Sequence, residues 1–374
     1  MLPNSNRSMS NSGFIIQQLF PFLQTYLGDL EKHLFTYNKP FRLEAGGELK
    51  TLEIEYETLG EISSGGDNVI WVCHALTANA DVESWWPGCI GFGKLYDPSK
   101  HFIICANILG SCYGSTGPLS VNPATGQPYF AAFPLVTMRD IVNAFDLLRQ
   151  YLRIDQIHTC VGGSLGGQQA LEWAIIQPSV IKNLVLMATN AIHSPWGIAL
   201  NETQRMAIEA DPTWKENRPD AGQNGLAAAR AIALLSYRNY YTYKKSQTDL
   251  DDNKVSGFKA TTYQQYQGKK LVDRFNVASY WTLTLALDSH NVGRNRGGIE
   301  KALSSIIANT LVIGIKSDIL FPVEEQVFIA ENIPNSHFVE FDSDYGHDGF
   351  LIEYETITKH IQNFYKRVRL KELA

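Results

Sequence analysis

Residues 159–173 read TCVGGSLGGQQALEW, and the fold turns on how this stretch is read. Gly162, Gly163, Gly166 and Gly167 surround Ser164. Glycine loses more backbone freedom on folding than any other residue, so such a cluster marks a place where side chains do not fit. The apolar run IHTCV precedes the serine. The run LGGQQALEWAIIQ follows it and stops at Pro178, which ends helices. Gly-x-Ser-x-Gly between a strand and a helix forms a turn so tight that side chains two positions either side would collide. The turn holds the serine in a strained conformation and stands its hydroxyl above the sheet, at the N-terminus of the helix. Ser164 is therefore the candidate nucleophile.

Outward from this turn the pattern repeats. NVIWVCHAL, HFIICANIL, NLVLMAT and TLVIGIKSD are continuous apolar runs, as expected of strands covered on both faces. HFVEFD is a weaker example, and KTLEIEYETLG alternates like a half-buried strand. TMRDIVNAFDLLRQYL opens with Thr137, has Asp140 three residues on, and carries an apolar stripe of Ile141, Phe145, Leu148 and Leu152. Strand and helix alternate from about 68 to 189 and again after about 310, which defines an α/β, mostly parallel, doubly wound sheet. Residues 190–301 break the alternation. NETQRMAIEA and NGLAAARAIALLSYRNYYTY have helical spacing, and no parallel strand is expected there. The domain reading is an arm over 1–33, a core over 34–189 and 302–374, and a helical lid inserted over 190–301. GFIIQQLFPFLQTYL gives the arm an amphipathic character rather than that of a targeting peptide.

Among 374 residues, 44% are hydrophobic and 19% charged, with a net charge of −6. That balance offers no electrostatic route to nucleic acid or to an anionic membrane. No apolar run reaches the roughly 18 residues of a membrane span. Five cysteines without CxxC spacing fit a reducing, cytoplasmic setting.

A serine hydroxyl needs a base. On this kind of sheet the acid follows the serine in the chain, and the histidine follows the acid. Asp318 ends the apolar strand LVIGIKSD, and His347 lies in the loop YGHDGF after the last strand. Asp318 would hold the imidazole tautomer, with Asp342 and Asp344 as alternative acids. His337 lies within a strand and His290 within the insertion, so both fit the base less well. The oxyanion hole calls for two backbone N–H groups, from Leu165 after the nucleophile and from Leu76 in the loop HALTAN. His74 reads as a structural hydrogen-bonder and Cys112 as a small loop residue. Arg294 and Arg296 of GRNRGG read as structural ion pairs ahead of contacts to an anionic cofactor. Trp85 and Trp86 read as packing. No metal-ligand pattern is present.

Taken together, CHALTANADV, NILGSCYGSTGPLSVNPATGQPY, FPLVTMRDIV, GGSLGGQQALEWA, LDSHNVGRNRGG, VIGIKSDILFP and YGHDGFL resemble the homoserine O-acetyltransferase family of α/β-hydrolase-fold enzymes. The resemblance runs from about residue 38 to 365. Leu165 stands where the family usually has Met, and Ala78 where Gly is common; neither change removes a backbone donor. The resemblance implies acetyl transfer from acetyl-CoA to the L-homoserine hydroxyl through an acyl-serine, in methionine biosynthesis, by a homodimer joined through the lid. It implies no bound cofactor, acetyl-CoA being a co-substrate. It places the substrate arginine at Arg230 of GLAAARAIALLSYR, a tyrosine at Tyr237, and the substrate aspartate at Asp348. Arg230 would grip the carboxylate of a zwitterionic acceptor, while Asp348 and Tyr237 face its ammonium. Succinyl as the acyl group, serine as the acceptor, ester hydrolysis and a non-catalytic binding scaffold remain as alternatives.

Overall fold

The computed structural model describes residues 31–373, so the arm expected over 1–33 lies almost wholly outside the described residues. Among the described residues, the main sheet has eight strands: β1 (Glu31–Tyr37), β2 (Leu52–Leu59), β3 (Val69–Cys73), β4 (Phe102–Ala106), β5 (Ile157–Gly163), β6 (Ile181–Met187), β7 (Asn309–Ile315) and β8 (Ser336–Phe341). Their order across the sheet is β1-β2-β4-β3-β5-β6-β7-β8. The β1/β2 and β2/β4 pairs are antiparallel, and the remaining pairs are parallel.

Alternate side chains of the central strands enter two separate cores. Trp71 of β3 packs edge-on to Trp173 at 4.8 Å between ring centroids, and near Phe145, on the face covered by α1 (Met138–Tyr151) and α2 (Leu165–Ile176). Ile70 and Val72 face the other way, into a cluster with Ile357, Ile361 and Phe364 of the C-terminal helix Tyr354–Glu372. Covering on both faces is why these strands read as unbroken apolar runs. At the start of α1 the expected cap is present: Thr137 Oγ1 accepts from Asp140 N, and Asp140 Oδ2 accepts from Thr137 N at 2.9 Å.

Three features differ from the sequence reading. β1 crosses the position where the arm was taken to end. It is an edge strand whose Leu34 is exposed, so it lacks the double burial that made its neighbours legible. The stretch NGLAAARAIALLSYRNYYTY is not one helix. It forms α4 (Gln223–Tyr237) and α5 (Tyr240–Gln247), broken at Arg238 and Asn239. Asn239 has extended backbone angles, and its side chain accepts from Thr242 N at 3.0 Å, so an N-cap restarts the helix.

Between β6 and β7 the chain also forms α3 (Pro195–Glu209), α6 (Lys259–Val272), α7 (Val277–Asp288) and α8 (Ile299–Ser304). Ala302 and Leu303 of α8 are buried in the main core, so the boundary drawn at 301/302 falls inside a helix that packs with the sheet. The inserted segment begins and ends side by side. His193 N donates to His290 O, and Val292 N to Ala191 O, each at 3.0 Å.

Candidate active site

Ser164 sits between β5 and α2 with φ 58° and ψ −128°. A left-handed backbone at a residue with a side chain costs about 1–3 kcal/mol and needs support from its surroundings. That support is visible. Ser164 N donates to Met187 O at 3.0 Å, and Ser164 O accepts from Gly167 N, Gln168 N and Thr189 Oγ1. A Cβ on Gly162 would lie 2.3 Å from the Gly166 backbone, and one on Gly166 would lie 2.0 Å from Cys73 O. Two of the glycines are thus required by backbone contact.

The closeness of Gly166 to Cys73 also docks the N-terminus of α2 on the loop after β3. Gln169 Nε2 donates to His74 O at 3.1 Å across the same junction. Leu165 and Leu76 therefore lie on adjoining segments, and Leu165 N–H is the first amide of its helix, with no acceptor one turn back. His74 is fully buried and braces the loop. Its Nε2 accepts from Ile108 N at 3.2 Å, which leaves Nδ1–H to donate to Ala75 O at 2.9 Å. Burial lowers its pKa to about 4, so the ring is neutral. Arg274 ties the loop to the inserted segment through the Thr77 carbonyl, and it also donates to the Tyr113 hydroxyl after β4.

Asp318 follows β7 and His347 follows β8, at the same carboxyl edge of the sheet as Ser164. His347 Nδ1 donates to Asp318 Oδ2 at 2.7 Å, because a carboxylate only accepts. Asp318 Oδ1 accepts from the Leu320 and Phe321 amides at 2.8 and 2.9 Å. Both oxygens are occupied, the ring is fixed, and Nε2 is left for other work. Phe350 links the imidazole to the elbow: its ring is 5.3 Å from that of His347, and a Cβ on Gly163 would lie 2.4 Å from it. The alternative acids stand apart. Asp342 approaches Lys316 at 3.8 Å and Asp344 approaches Lys245 at 3.7 Å, both on the surface. His290 is buried against the Asn190 carbonyl, and His337 lies beside Arg367.

Tyr237 lies between the lid arginine and the imidazole. Arg230 Cζ is 5.4 Å from its ring centroid, and the His347 ring is 5.9 Å away on centroids. Asp348 is not a bare carboxylate. Arg238 Nε donates to its Oδ2 at 3.0 Å. The sequence reading missed Arg238, although it stands at the break in SYRNYY, where a long cation has no helical reason to be. Tyr243 and Tyr263 pack edge to face nearby, and their hydroxyls are buried without a hydrogen-bond partner.

Behind α2 runs a polar chain that no motif announced. Gln168 Nε2 donates to Asn190 Oδ1, and Asn190 Nδ2 to Glu325 Oε2, at 2.8 and 2.9 Å. Burial, with Asp318 adding to it, pushes the Glu325 carboxyl up to about 7. Arg294 and Arg296 are engaged with Glu44 and Glu172, alongside Arg139. Cys112 is half-buried and its thiol is pushed up by burial. Trp85 and Trp86 stack on each other. Among the described residues, no cluster of His, Cys, Asp or Glu has metal-site geometry, and no helix is long and apolar enough to cross a membrane.

An eight-stranded sheet with a serine elbow and an Asp–His pair at its carboxyl edge defines an α/β-hydrolase-type architecture. Residues 68–354 match the family model described as alpha/beta hydrolase fold. A homoserine O-acetyltransferase from Cyclobacterium marinum is 48% identical over 337 residues, covering 90% of this chain and 96% of that protein. The chain belongs to the homoserine O-acetyltransferase family of that fold. The crystal structure of homoserine O-acetyltransferase from Bacillus anthracis superposes with a TM-score of 0.82 at 24% identity, covering 90% of this chain and 97% of that one. Esterase E22 gives the same TM-score at 23% identity, covering 90% of this chain and 99% of that one, so the scaffold is shared by a transferase and an esterase.

Proposed function

We propose that this protein is a homoserine O-acetyltransferase that carries acetyl from acetyl-CoA to the L-homoserine hydroxyl, a step in methionine biosynthesis. The observation that carries the reading is the pairing of a serine elbow with charges of both signs around His347: Arg230 on the inserted lid and Asp348 on the core loop beside the imidazole.

In the proposed first half-reaction, His347 Nε2 takes the Ser164 proton as Oγ attacks the thioester carbon. The Leu165 and Leu76 amides receive the oxyanion. The C–S bond breaks, the CoA sulfur takes the proton from His347 Nε2, and CoA leaves as the thiol. In the second half, the homoserine hydroxyl gives its proton to Nε2 and attacks the acetyl carbon. Ser164 is released with that proton. Asp318 stabilises the imidazolium in both halves. Arg230 grips the acceptor carboxylate, while Asp348 and Tyr237 face the ammonium. A hydroxyl held this way outcompetes water by effective concentration.

The same reading places the enzyme in the cytoplasm, with no bound metal or cofactor. The five free cysteines support that setting. It also makes the enzyme a homodimer joined through the lid, supported by the exposed Met206, Leu235, Tyr240 and Tyr241 on α3, α4 and α5. One panel tests the function: acetyl-CoA or succinyl-CoA against homoserine, serine or water, with products identified by mass. O-acetyl-homoserine as the main product is expected. Acetate or a succinyl ester as the main product overturns the reading.

A further inference from the structure

The break between α4 and α5 lies against the loop that carries His347. Gly346 has φ 61°, and a Cβ there would lie 3.2–3.3 Å from the backbone of Tyr237, Arg238 and Asn239. The lid backbone thus comes down on the residue before His347 where that residue has no side chain. Asn239 fastens the contact by capping α5 and donating from Nδ2 to Ser343 O. A second tie runs from the Thr242 hydroxyl to the Asp344 carbonyl. From this docked break Arg238 extends to Asp348, and its guanidinium lies 6.0 Å from the Tyr263 ring centroid.

We propose that Arg238 is a positioning residue for the acceptor. By occupying Asp348 Oδ2 from the docked break, it turns Oδ1 toward the ammonium group of an amino-acid alcohol. The inference rests on the acceptor reading above. Its geometry is a division of labour within one carboxylate. One oxygen is held by a cation anchored on an aromatic face, and the other is left to recognise the substrate. A lysine at this position would supply the charge without the planar donor set.

Ionisation supplies a readout that a structural role would not move. Burial pushes the Asp348 carboxyl above its ordinary value, and the charges of Arg238, His347 and Arg230 pull it back, Arg238 most strongly. Tyr237, Tyr243 and Tyr263 also face this cluster, and burial pushes the Tyr237 and Tyr243 hydroxyls up. Loss of Arg238 therefore lets Asp348 take a proton at higher pH. A neutral carboxyl does not pair with an ammonium, so the acceptor KM climbs as pH falls, and the climb begins at higher pH in the variant.

The experiment compares wild type, R238K, R238Q, D348N and R238Q/D348N. It measures the burst of free CoA without acceptor, and then kcat and KM for homoserine from pH 6 to 9. Expected for R238Q is an intact burst with acceptor KM raised about ten- to a hundredfold. Its acid limb should move to higher pH, R238K should recover part of the loss, and R238Q should add little within D348N. If wild type shows no homoserine-dependent turnover, the acceptor reading falls and this inference with it. If wild type uses homoserine and R238Q leaves its KM unchanged, only the assignment of Arg238 falls. It falls equally if the R238Q and D348N losses multiply, or if folded R238K loses the burst.

Discussion

The two halves of this active site are built by opposite means. On the sheet side, position is set by backbone. Ser164 is held by four main-chain or threonine hydrogen bonds, and Asp318 by two amides and an imidazole. The glycines around them remove side chains. On the lid side, position is set by long side chains: Arg230 against Tyr237, and Arg238 between Asp348 and Tyr263. A backbone-built half fits a reaction step common to many substrates. On the proposed reading, a side-chain-built half is the one to change with the acceptor, because its contacts can be substituted without disturbing the sheet.

If that division is right, damage to the sheet side stops the first half-reaction and damage to the lid side does not. The largest effect belongs to Ser164→Ala. A folded S164A protein is expected to give no CoA burst and to lose about 10⁶-fold in kcat. Measurable acyl-enzyme by mass in that variant would end the nucleophile assignment. Asp318→Asn comes next, with a fall in kcat of about 10⁴-fold, because the amide favours the wrong imidazole tautomer. D342N, on a surface carboxylate, serves as its control. Near-normal D318N turnover beside a dead D342N or D344N would move the acid elsewhere.

Arg230→Ala tests the other half. The expected loss is about ten- to a hundredfold in kcat/KM for homoserine, with the burst spared. A lost burst with unchanged homoserine saturation would erase the contrast between the halves. The smallest effect concerns stability alone, in the polar chain behind α2. Glu325 is raised to about 7 in the folded protein. Its neutral form therefore contributes stability that is complete below the ordinary carboxyl value and is lost as pH rises through 7. Glutamine mimics that neutral form. E325Q should match wild type at pH 4 and exceed it by about 1 kcal/mol at pH 8, after allowance for solvent screening. A thermal-melt series in pH reads this directly, and a stabilisation that was equal at both pH values would count against it.

How much of this was legible in the sequence follows the same division. The elbow could be read because GGSLGG has no use in ordinary secondary structure. The meeting of Asp318 with His347 could be read because strand ends on a parallel sheet lie along one edge. Both are consequences of chain order and periodicity. β1 was missed because an exposed edge strand has no continuous apolar signature. The helix break at Arg238 was missed because Asn239 acts through a local cap, which a periodicity of 3.6 averages away. The Arg238–Asp348 pair joins residues 110 positions apart. The Gln168–Asn190–Glu325 chain joins three elements with no shared motif. Such pairings are made by the packing of the lid and core, and nothing local in either partner announces them.

The inserted segment leaves and rejoins the sheet through two strands of backbone that hydrogen-bond to each other at His193–His290 and Ala191–Val292. Its ends are therefore a strand spacing apart, ~5 Å. For the architecture of the molecule this makes the lid a cassette. The core has to close the same short gap whatever is mounted on it, and the entropy of closing a loop grows only with the logarithm of its length. A transplanted lid cut at this clasp leaves the register of β6 and β7 untouched. The place to exchange acceptor specificity between relatives is thus marked by two pairs of backbone atoms, remote from the residues that would set it.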